Sequence, residues 1–481
     1  MSFALAQDVA STLDSPSDSS SDFSSGTEFE SLFEKYQKNN TSYQKSLYEL
    51  ESAKYSLEKT RVQNGFYMEL SSGNITTDCS SVLSVSPEVT VGSTEWNNTK
   101  LSVEVPYTMR FSESEVASSI EDAEVLVSTD IFSSTGKSSK LALEKANRNV
   151  EEARRNLMNT KISVHMEFLN ELKSIFESRQ AIYEAENDLL DEQIEFNTIK
   201  AQGYASQSAK YRTANLEVES ARRKVEEKQR VFDSSLAVFA SKCSVQIESI
   251  DLDMEIPEVQ LAKFSDLEKE NFTKIENAKW DLYINKKERE IDTTKALSAQ
   301  AGYGLSAEDS NITNSIKAGA TLNLDGFAVS ALANIPIASD QKTSLTMSVA
   351  WNPFKRTENE LSKKIDNLST KTDELSVKDA LEEYRTQSIE KEENRLNLDW
   401  QLSQYAEELE LYRELEKDTL DLYEKGLVTE SEWRTAKINA ASANAKLSET
   451  KLERILYNDE LISLFIKSSG DNDGKKENNA E

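Results

Sequence analysis

Apolar residues recur along two segments of the chain in steps of three, four or seven, with polar residues between them. The first stripe consists of Tyr211, Ala214, Val218, Ala221, Val225, Phe232 and Phe239. Adding 222 to the first five numbers gives a second stripe, Trp433, Ala436, Ala440, Ala443 and Leu447. This spacing is typical of a coiled-coil seam. Each segment is therefore predicted to be a helix that packs along one face.

A much longer tract without a helix breaker precedes each stripe. Helices are predicted over roughly 137–202 and 356–425, and they end at Gly203 and Gly426. Glycine is common just after the C-terminus of a helix, because it adopts the left-handed conformation without steric cost. At 1.5 Å per residue, each tract would be about 100 Å long. The chain therefore contains two pairs of antiparallel helices, and a tight turn joins the members of each pair.

The helices that follow these two turns are predicted to begin at local caps. Thr429 and Glu432 have the spacing of a capping box, in which each residue bonds the backbone N–H of the other. Ser206 is a weaker candidate cap in the first half of the chain. Both restarts lie within a few residues of the preceding glycine, so the turns are expected to be short.

Short segments with partly alternating apolar and polar residues precede each long helix. Four occur in each half, at 64–73, 80–92, 99–111, 121–132, 296–307, 315–324, 327–338 and 343–354. Such alternation predicts strands, and Asp325 with Gly326 is a hairpin turn signal. A shorter helix leads into each block, over roughly 28–61 and 266–294. The order helix, strands, long helix, turn and helix is thus predicted twice.

We therefore predict a mainly helical α+β fold with two internal structural repeats. The predicted divisions are 1–27, 28–243, 244–264, 265–467 and 468–481. In order, they are an N-terminal segment, the first repeat, a linker, the second repeat and a disordered tail. The N-terminal segment is expected to hold a signal-peptide remnant, from Ala4-Leu5-Ala6, and a disordered Ser-rich stretch. An arbitrary start of the chain would explain the same three residues.

Composition and charge limit the classes of partner. With 85 acidic and 56 basic residues the net charge is -29, which disfavours nucleic acid and anionic lipid headgroups as ligands. Only 13 glycines and 6 prolines occur in 481 residues, which suits long helices better than several globular domains. No run of about twenty apolar residues is present, whereas a membrane strand needs only about ten alternating ones.

Catalytic, metal-binding and cofactor-binding residues are not predicted. His165 is the single histidine, and a lone imidazole on a helix more often packs or faces solvent. Cys79 and Cys243 lie in very different segments without a C-x-x-C partner, so neither is given a redox or metal role. No nucleotide-binding, nucleophile-elbow or zinc-protease motif occurs. The chain is not expected to be an enzyme.

The duplicated order resembles the TolC family of outer-membrane efflux proteins. The segment GLVTESEW at 426–433, followed by Ala436, Ala440, Asn444 and Leu447, is similar to that family, as is the strand end at 348–353. The resemblance extends from about Glu28 to Phe465. It implies a homotrimer with a shared β-barrel in the outer membrane and an α-helical barrel in the periplasm. It also implies a periplasmic adaptor and an inner-membrane transporter that deliver small molecules or proteins for export.

The resemblance also suggests functional residues in the two turns. Candidate adaptor contacts are Gly203, Tyr204, Ala205, Gly426, Leu427 and Val428. Glu432 matches an acidic residue of the family that forms a ring at the entrance, where three carboxylates would attract cations. The family's second acidic position falls at Thr435. The same residues could instead only join the two helices of each pair, and Glu432 could only complete its capping box.

Two features depart from the family. It usually has about two strands per half, whereas four are predicted here. The additional pair would widen the barrel, form an extracellular extension or be loop, and additional strands are the expectation. The strand segments also contain Glu69, Glu104, Lys317 and Asn323, which would have to face a wet lumen. A structural or adhesive coiled-coil protein of the cell envelope is the alternative function. A periplasmic adaptor is a further alternative, but such a protein should have one helical hairpin between lipoyl-like halves.

Overall fold

The structure is a computed structural model. It describes residues 28–78, 82–94, 96–111, 116–291, 295–308, 311–337 and 342–466. The predicted signal-peptide remnant, the Ser-rich stretch and the C-terminal tail lie outside the described residues, as does Cys79.

The described residues contain seven α-helices. They are α1 Glu28–Asn39, α2 Thr41–Asn64, α3 Thr135–Ala201, α4 Ala209–Cys243, α5 Thr273–Arg289, α6 Lys355–Glu424 and α7 Glu430–Ser463. The two long helices and the two returning helices lie where the sequence predicts them. The first lead-in helix is interrupted at Asn40, and the second begins only at Thr273, after short 3₁₀ turns. No described helix is both long and apolar enough to cross a bilayer.

In the described part of the chain, eleven strands form one antiparallel sheet. They are β1 Phe66–Ser71, β2 Ile75–Thr77, β3 Val82–Val85, β4 Glu88–Ser93, β5 Thr99–Glu104, β6 Tyr107–Phe111, β7 Val116–Phe132, β8 Lys295–Glu308, β9 Asn311–Leu324, β10 Phe327–Ile337 and β11 Ser344–Trp351. The main order is β1-β4-β5-β7-β8-β9-β10-β11, and β7 pairs with β8. The two blocks of strands, distant in sequence, therefore belong to one sheet.

Two of the four strands predicted in the first half, those at 80–92 and 99–111, are interrupted, and the short strand β2 lies outside the predicted segments. β2, β3 and β6 lie off the main order, and each pairs with the matching segment of a neighbour. Pro87 and Pro106 lie at two of the breaks, between β3 and β4 and between β5 and β6. Proline lacks the N–H that a ladder needs, so it limits a strand. The four strands predicted in the second half, β8–β11, are uninterrupted.

The chain forms two compact units, and each unit contains segments from both halves of the sequence. Of the described residues, the first unit contains those within 28–41, 163–261 and 397–457, and the second those within 42–162, 262–396 and 458–466. Parts of α3, α6 and α7 belong to each unit. Each unit therefore depends on residues that are far apart in the chain.

The first unit is helical. Polar pairs join α4 to α3, α3 to α7 and α7 to α6: Lys224–Asp188 (2.6 Å), Lys173–Glu453 (2.6 Å) and Arg413–Asn444 (3.1 Å). The ring of Phe168 lies 5.5 Å from those of Phe29, Tyr36 and Phe239. All residues of the two predicted seams are buried or half-buried, so the predicted packing faces of α4 and α7 are confirmed.

The second unit combines the sheet with α2, α5 and the neighbouring parts of α3 and α6. Phe272 packs edge-on against Tyr384 and Phe465, with ring centroids 5.4 and 5.5 Å apart. Glu276 of α5 accepts hydrogen bonds from Arg148 (2.7 Å) and Arg155 (2.9 Å) of α3. These contacts fix α5 against α3 and α6.

Candidate functional site

One face of the sheet is apolar across its whole width. Residues that lie directly opposite one another across the eight strands of the main order are Met68, Val91, Leu101, Val127, Ala301, Ala318, Ala333 and Leu345. Side chains two positions along each strand share a face. Phe66, Leu70, Met347, Val349 and Trp351 therefore extend the same surface, and all five are exposed. We call this surface the apolar sheet face.

The opposite face of the sheet is polar. The next row is Glu69, Thr90, Ser102, Leu126, Gly302, Lys317, Asn334 and Ser344, and only Leu126 in it has a large apolar side chain. Glu104 lies opposite Glu88 and Glu124 on this face, and Asn323 lies opposite Ala296 and Ala328. The four polar residues that the sequence analysis singled out, Glu69, Glu104, Lys317 and Asn323, therefore share one face.

An ion pair crosses one strand on the polar face. Lys317 Nζ of β9 lies 2.8 Å from Glu124 Oε2 of β7, although β8 lies between these strands. Gly302 and Gly304 are the residues of β8 at this level, opposite Lys317 and Glu124 respectively. A Cβ on Gly304 would lie 2.9 Å from Ser315 Oγ and 3.5 Å from Lys317 Cε. This pair was not predicted from the sequence, where its one local signal is the occurrence of Gly302 and Gly304 within a strand segment.

The turn at Gly426 is a tightly bonded helix end. Gly426 has a φ of 71°, and its N–H donates to Tyr423 O at 2.8 Å, while the Leu427 N–H donates to Leu422 O at 2.9 Å. These are the two bonds of a Schellman motif. Leu427 is 70% exposed and Val428 is half-buried. The turn therefore presents an apolar side chain on a rigid backbone.

The turn at Gly203 has the same backbone feature but a different side-chain arrangement. Gly203 has a φ of 78°, and its N–H donates to Lys200 O at 3.1 Å. Tyr204 and Ala205 are exposed, and the Lys210 ammonium lies 4.8 Å from the centre of the Tyr204 ring. Ser208, and not Ser206, caps α4 by accepting a hydrogen bond from the Tyr211 N–H at 3.3 Å. The weaker predicted cap is therefore wrong by two residues.

The predicted capping box at α7 is present. The Glu432 carboxylate accepts hydrogen bonds from the Thr429 N–H (2.7 Å) and hydroxyl (2.9 Å), and the Glu432 N–H donates to Thr429 Oγ1 at 3.3 Å. The backbone bond from Thr429, followed by the hydroxyl bond, lowers the pKa of Glu432. The carboxylate is therefore ionised at neutral pH and is exposed.

The remaining candidates for chemistry lie in packed surroundings. The His165 ring lies 4.4 Å from that of Phe33 and 6.5 Å from that of Phe168, so it belongs to the aromatic core of the first unit. Cys243 is fully buried, and burial with nearby Glu171 raises the pKa of its thiol to about 12. Within the described ranges, no group of three or more His, Cys, Asp or Glu side chains could hold a metal ion.

Several solved structures resemble this fold. A membrane protein from Pseudomonas aeruginosa has a TM-score of 0.50 at 13% identity, over 90% of this chain and 92% of that chain. The CmeC outer membrane channel of Campylobacter jejuni has a TM-score of 0.46 at 12% identity, over 93% and 90%. The outer membrane protein VceC of Vibrio cholerae has a TM-score of 0.45 at 11% identity, over 90% and 94%. The fold of this chain is therefore similar to that of the membrane protein from Pseudomonas aeruginosa over most of both chains.

Sequence comparison adds a more specific relationship. No curated protein matches this chain. The TP096X N-terminal domain matches residues 32–262, and the TP096X C-terminal domain matches residues 257–468. The two matches meet at the segment between α4 and α5 and together extend from α1 to the end of α7. This chain therefore belongs to the TP096X family.

Proposed function

We propose that this chain forms a homotrimeric channel in the outer membrane. The channel exports small molecules or proteins from the periplasm to the exterior. The observation that carries the proposal is the division of one sheet into an apolar and a polar face across all eight strands of its main order. β8 and β9 have 14 residues each and β10 has 11, enough for membrane strands of about ten residues.

The apolar sheet face explains why lipid is the expected neighbour. Removing apolar surface from water stabilises a structure by about 25 cal/mol for every Å² that is buried. Lipid would cover this face, whereas the Lys317–Glu124 pair and the glutamates of the polar face need water. A structural or adhesive coiled-coil protein, the alternative function, would need no sheet with two such faces.

A homotrimer would solve a geometric problem of the single chain. One open sheet of this size cannot enclose a passage on its own, so several copies must combine their strands. We propose that the two internal repeats form equivalent parts of the barrel wall, each with strands, a long helix and a returning helix. Helices from three copies would then enclose an α-helical barrel in the periplasm.

The two turns are proposed to contact a periplasmic adaptor that works with an inner-membrane transporter. Leu427 and Tyr204 are exposed beside the positive-φ glycines, and Ala205 and Val428 complete these surfaces. Apolar side chains on a fixed backbone can insert between the side chains of a partner helix. In the native host, Leu427→Asp should lower export, while the conductance of the purified channel stays unchanged. Loss of both would show that the substitution damages the channel itself.

Glu432 is proposed to line the entrance of the trimer as well as to cap α7. Three ionised carboxylates near one axis would favour cations over anions. In planar bilayers Glu432→Gln should lower the ratio of cation to anion permeability, whereas Glu430→Gln, in the same turn, should change it less. If the two variants and the unchanged protein had the same cation-to-anion permeability ratio, Glu432 would not line the entrance.

The deciding experiment for the proposed function combines fractionation with conductance. The protein should be found in outer-membrane fractions as a trimer that dissociates on heating, and the purified trimer should conduct ions in planar bilayers. A protein that is monomeric after mild extraction and does not conduct would refute the channel and favour the coiled-coil alternative. The proposal assigns the chain no catalytic role and no cofactor.

A further inference from the structure

The sheet ends in two strands with one unpaired edge each. Among the described strands, β1 pairs only with β4 and β11 pairs only with β10, so these two strands begin and end the main order. Unpaired edges are templates for pairing with another chain. The main order has eight strands, each antiparallel to its neighbours. With an even number, β11 of one copy can continue the antiparallel alternation onto β1 of the next copy.

The helices joined to these two strands also lack partners on one side. α2 ends at Asn64, next to β1, and Tyr48, Tyr55 and Val62 are exposed on it at intervals of seven residues. α6 starts at Lys355, just after β11. Its exposed apolar residues at intervals of seven or fourteen are Leu361, Leu368, Leu375, Ile389 and Leu396. Such spacing is typical of a coiled-coil seam.

The contacts of α6 within its own chain show that this stripe faces away from the chain. Arg289 of α5 donates to Thr370 Oγ1 at 2.8 Å and lies 2.8 Å from Asp373 Oδ2. Tyr384 of α6 also packs against Phe272, so α6 contacts the chain through residues outside the stripe, while the five apolar residues of the stripe remain exposed. An exposed apolar stripe of this length is unusual for a helix face that stays in water. α2 has only one buried residue, Ser46, so its packing partner is missing too.

We propose that β11 and α6 of one copy dock against β1 and α2 of the next copy. The partner is thus a second copy of this chain. Both pairs would be antiparallel, since α2 leads into β1 and α6 leads away from β11. Three copies of the eight-strand order close a barrel of 24 strands. This inference rests on the proposed trimeric channel and adds the seam, the strand number and the pore width.

The strand number has a consequence for the cargo. The TolC family usually contributes about two strands per half, so this barrel would have about twice as many. Barrel diameter grows in proportion to strand number. With strands about 4.8 Å apart and tilted by about 40°, the backbone diameter is roughly 48 Å. Such a barrel would admit compact polypeptides as well as small molecules.

Cysteine cross-linking can test the strand seam. In a chain whose own cysteines are replaced, Met68→Cys on β1 is combined singly with Leu345→Cys, Met347→Cys, Val349→Cys or Trp351→Cys on β11. At least one pair should give covalent dimers and trimers on mild oxidation, because these residues share the apolar sheet face. Thr346→Cys and Ser348→Cys, on the polar face, are the matched controls. Cross-links from the controls alone, or from no pair, would overturn the seam.

The helix seam and the pore width have separate tests. Leu361→Asp should weaken trimer formation by about tenfold or more. Ser362→Asp adds the same charge to the neighbouring exposed residue and should leave trimer formation unchanged. The helix content of both variants, measured by circular dichroism, verifies that they fold. Polymers near 30 Å in diameter should enter the open pore and lower its conductance. Two results would refute the inference while leaving the proposed channel intact. One is a conducting trimer that excludes these polymers, and the other is equal trimer formation by the two variants.

Discussion

Residue-scale organisation is clearest where α5 meets α3. Arg148 is 8% exposed and stands over the Trp280 ring at 4.9 Å, with Glu276 as an ion-pair partner. Glu276→Gln would leave this guanidinium without its main counter-charge, which costs about 3 kcal/mol for buried pairs. Urea unfolding should report a loss of this size. Glu288→Gln, which removes the exposed pair with Lys145, should cost less than about 1 kcal/mol.

The same carboxylate predicts a dependence of stability on pH. Burial alone would raise the pKa of Glu276, but the hydrogen bonds and charges of Arg148 and Arg155 lower it below 4.5. A carboxylate with a lowered folded-state pKa stabilises the fold above its unfolded pKa, and this contribution is lost as the pH falls through the folded value. Below about pH 4.5, the difference in stability between the unchanged protein and Glu276→Gln should therefore shrink. A constant difference down to pH 2 would contradict this account.

Residue-level prediction from sequence succeeded where the interaction is local. The capping box of Thr429 and Glu432 depends on a spacing of three residues, and the structure has it. The cap at Ser208 was misplaced, because several serines compete near the Gly203 turn. The Lys317–Glu124 pair could not be predicted, since its residues are 193 positions apart and it requires the register of β7 on β8 as well as that of β8 on β9.

At the scale of elements, the turn at Gly426 can be tested through its backbone. Gly426→Ala should lower the free energy of unfolding by about 1 kcal/mol, because alanine is strained at a φ of 71°. The added Cβ would meet no atom within 4 Å, so the cost is conformational and not steric. Gly136→Ala, in the first turn of α3 and equally free of contacts, should instead stabilise by about 0.5 kcal/mol. Equal effects of the two substitutions would contradict the assignment.

The sheet offers a test in two adjacent residues. Val127 lies on the apolar sheet face, and Ser128 lies on the polar face. A lysine facing lipid near the middle of the bilayer costs about 2–4 kcal/mol, whereas one facing water costs little. Val127→Lys should therefore reduce the amount of trimer recovered from outer membranes, and Ser128→Lys should not. Recovery that falls equally for both variants would mean that the two faces do not have different surroundings.

The alternation of apolar and polar side chains identified the strand-forming segments. Successive side chains of a strand point to opposite faces of the sheet, so two faces in different surroundings give a period of two in the sequence. It did not identify the breaks at Pro87 and Pro106. These prolines lie within alternating stretches, so only the pairing partners of each segment show where one ladder ends and another begins. The interruption of the first helix at Asn40 was not predicted either, because no glycine or proline lies at that position.

At the scale of the whole molecule, the predicted repeats and the compact units divide the chain in different ways. The repeat suggests a division at 244–264, yet each compact unit takes segments from both sides of it. Long helices explain this difference, because a helix of 67 or 70 residues contributes its two ends to different units. The apolar stripes on α2 and α6 have the same spacing as a core seam, and only their exposure in the folded chain distinguishes them from one.

A trimeric channel with this sheet should prefer cations through residues of the sheet as well as through Glu432. The polar face contains Glu69, Glu88, Glu104 and Glu124 against Lys100 and Lys317. Glu88→Gln with Glu104→Gln should lower the cation-to-anion permeability ratio in planar bilayers, because both side chains would line the lumen. Glu51→Gln with Glu58→Gln, on exposed α2, removes the same charge and should leave the ratio unchanged. The effect should weaken from 0.1 to 1 M salt, as the Debye length falls from about 10 to 3 Å. An equal effect of the two double variants would mean that net charge, and not the polar face, sets the preference.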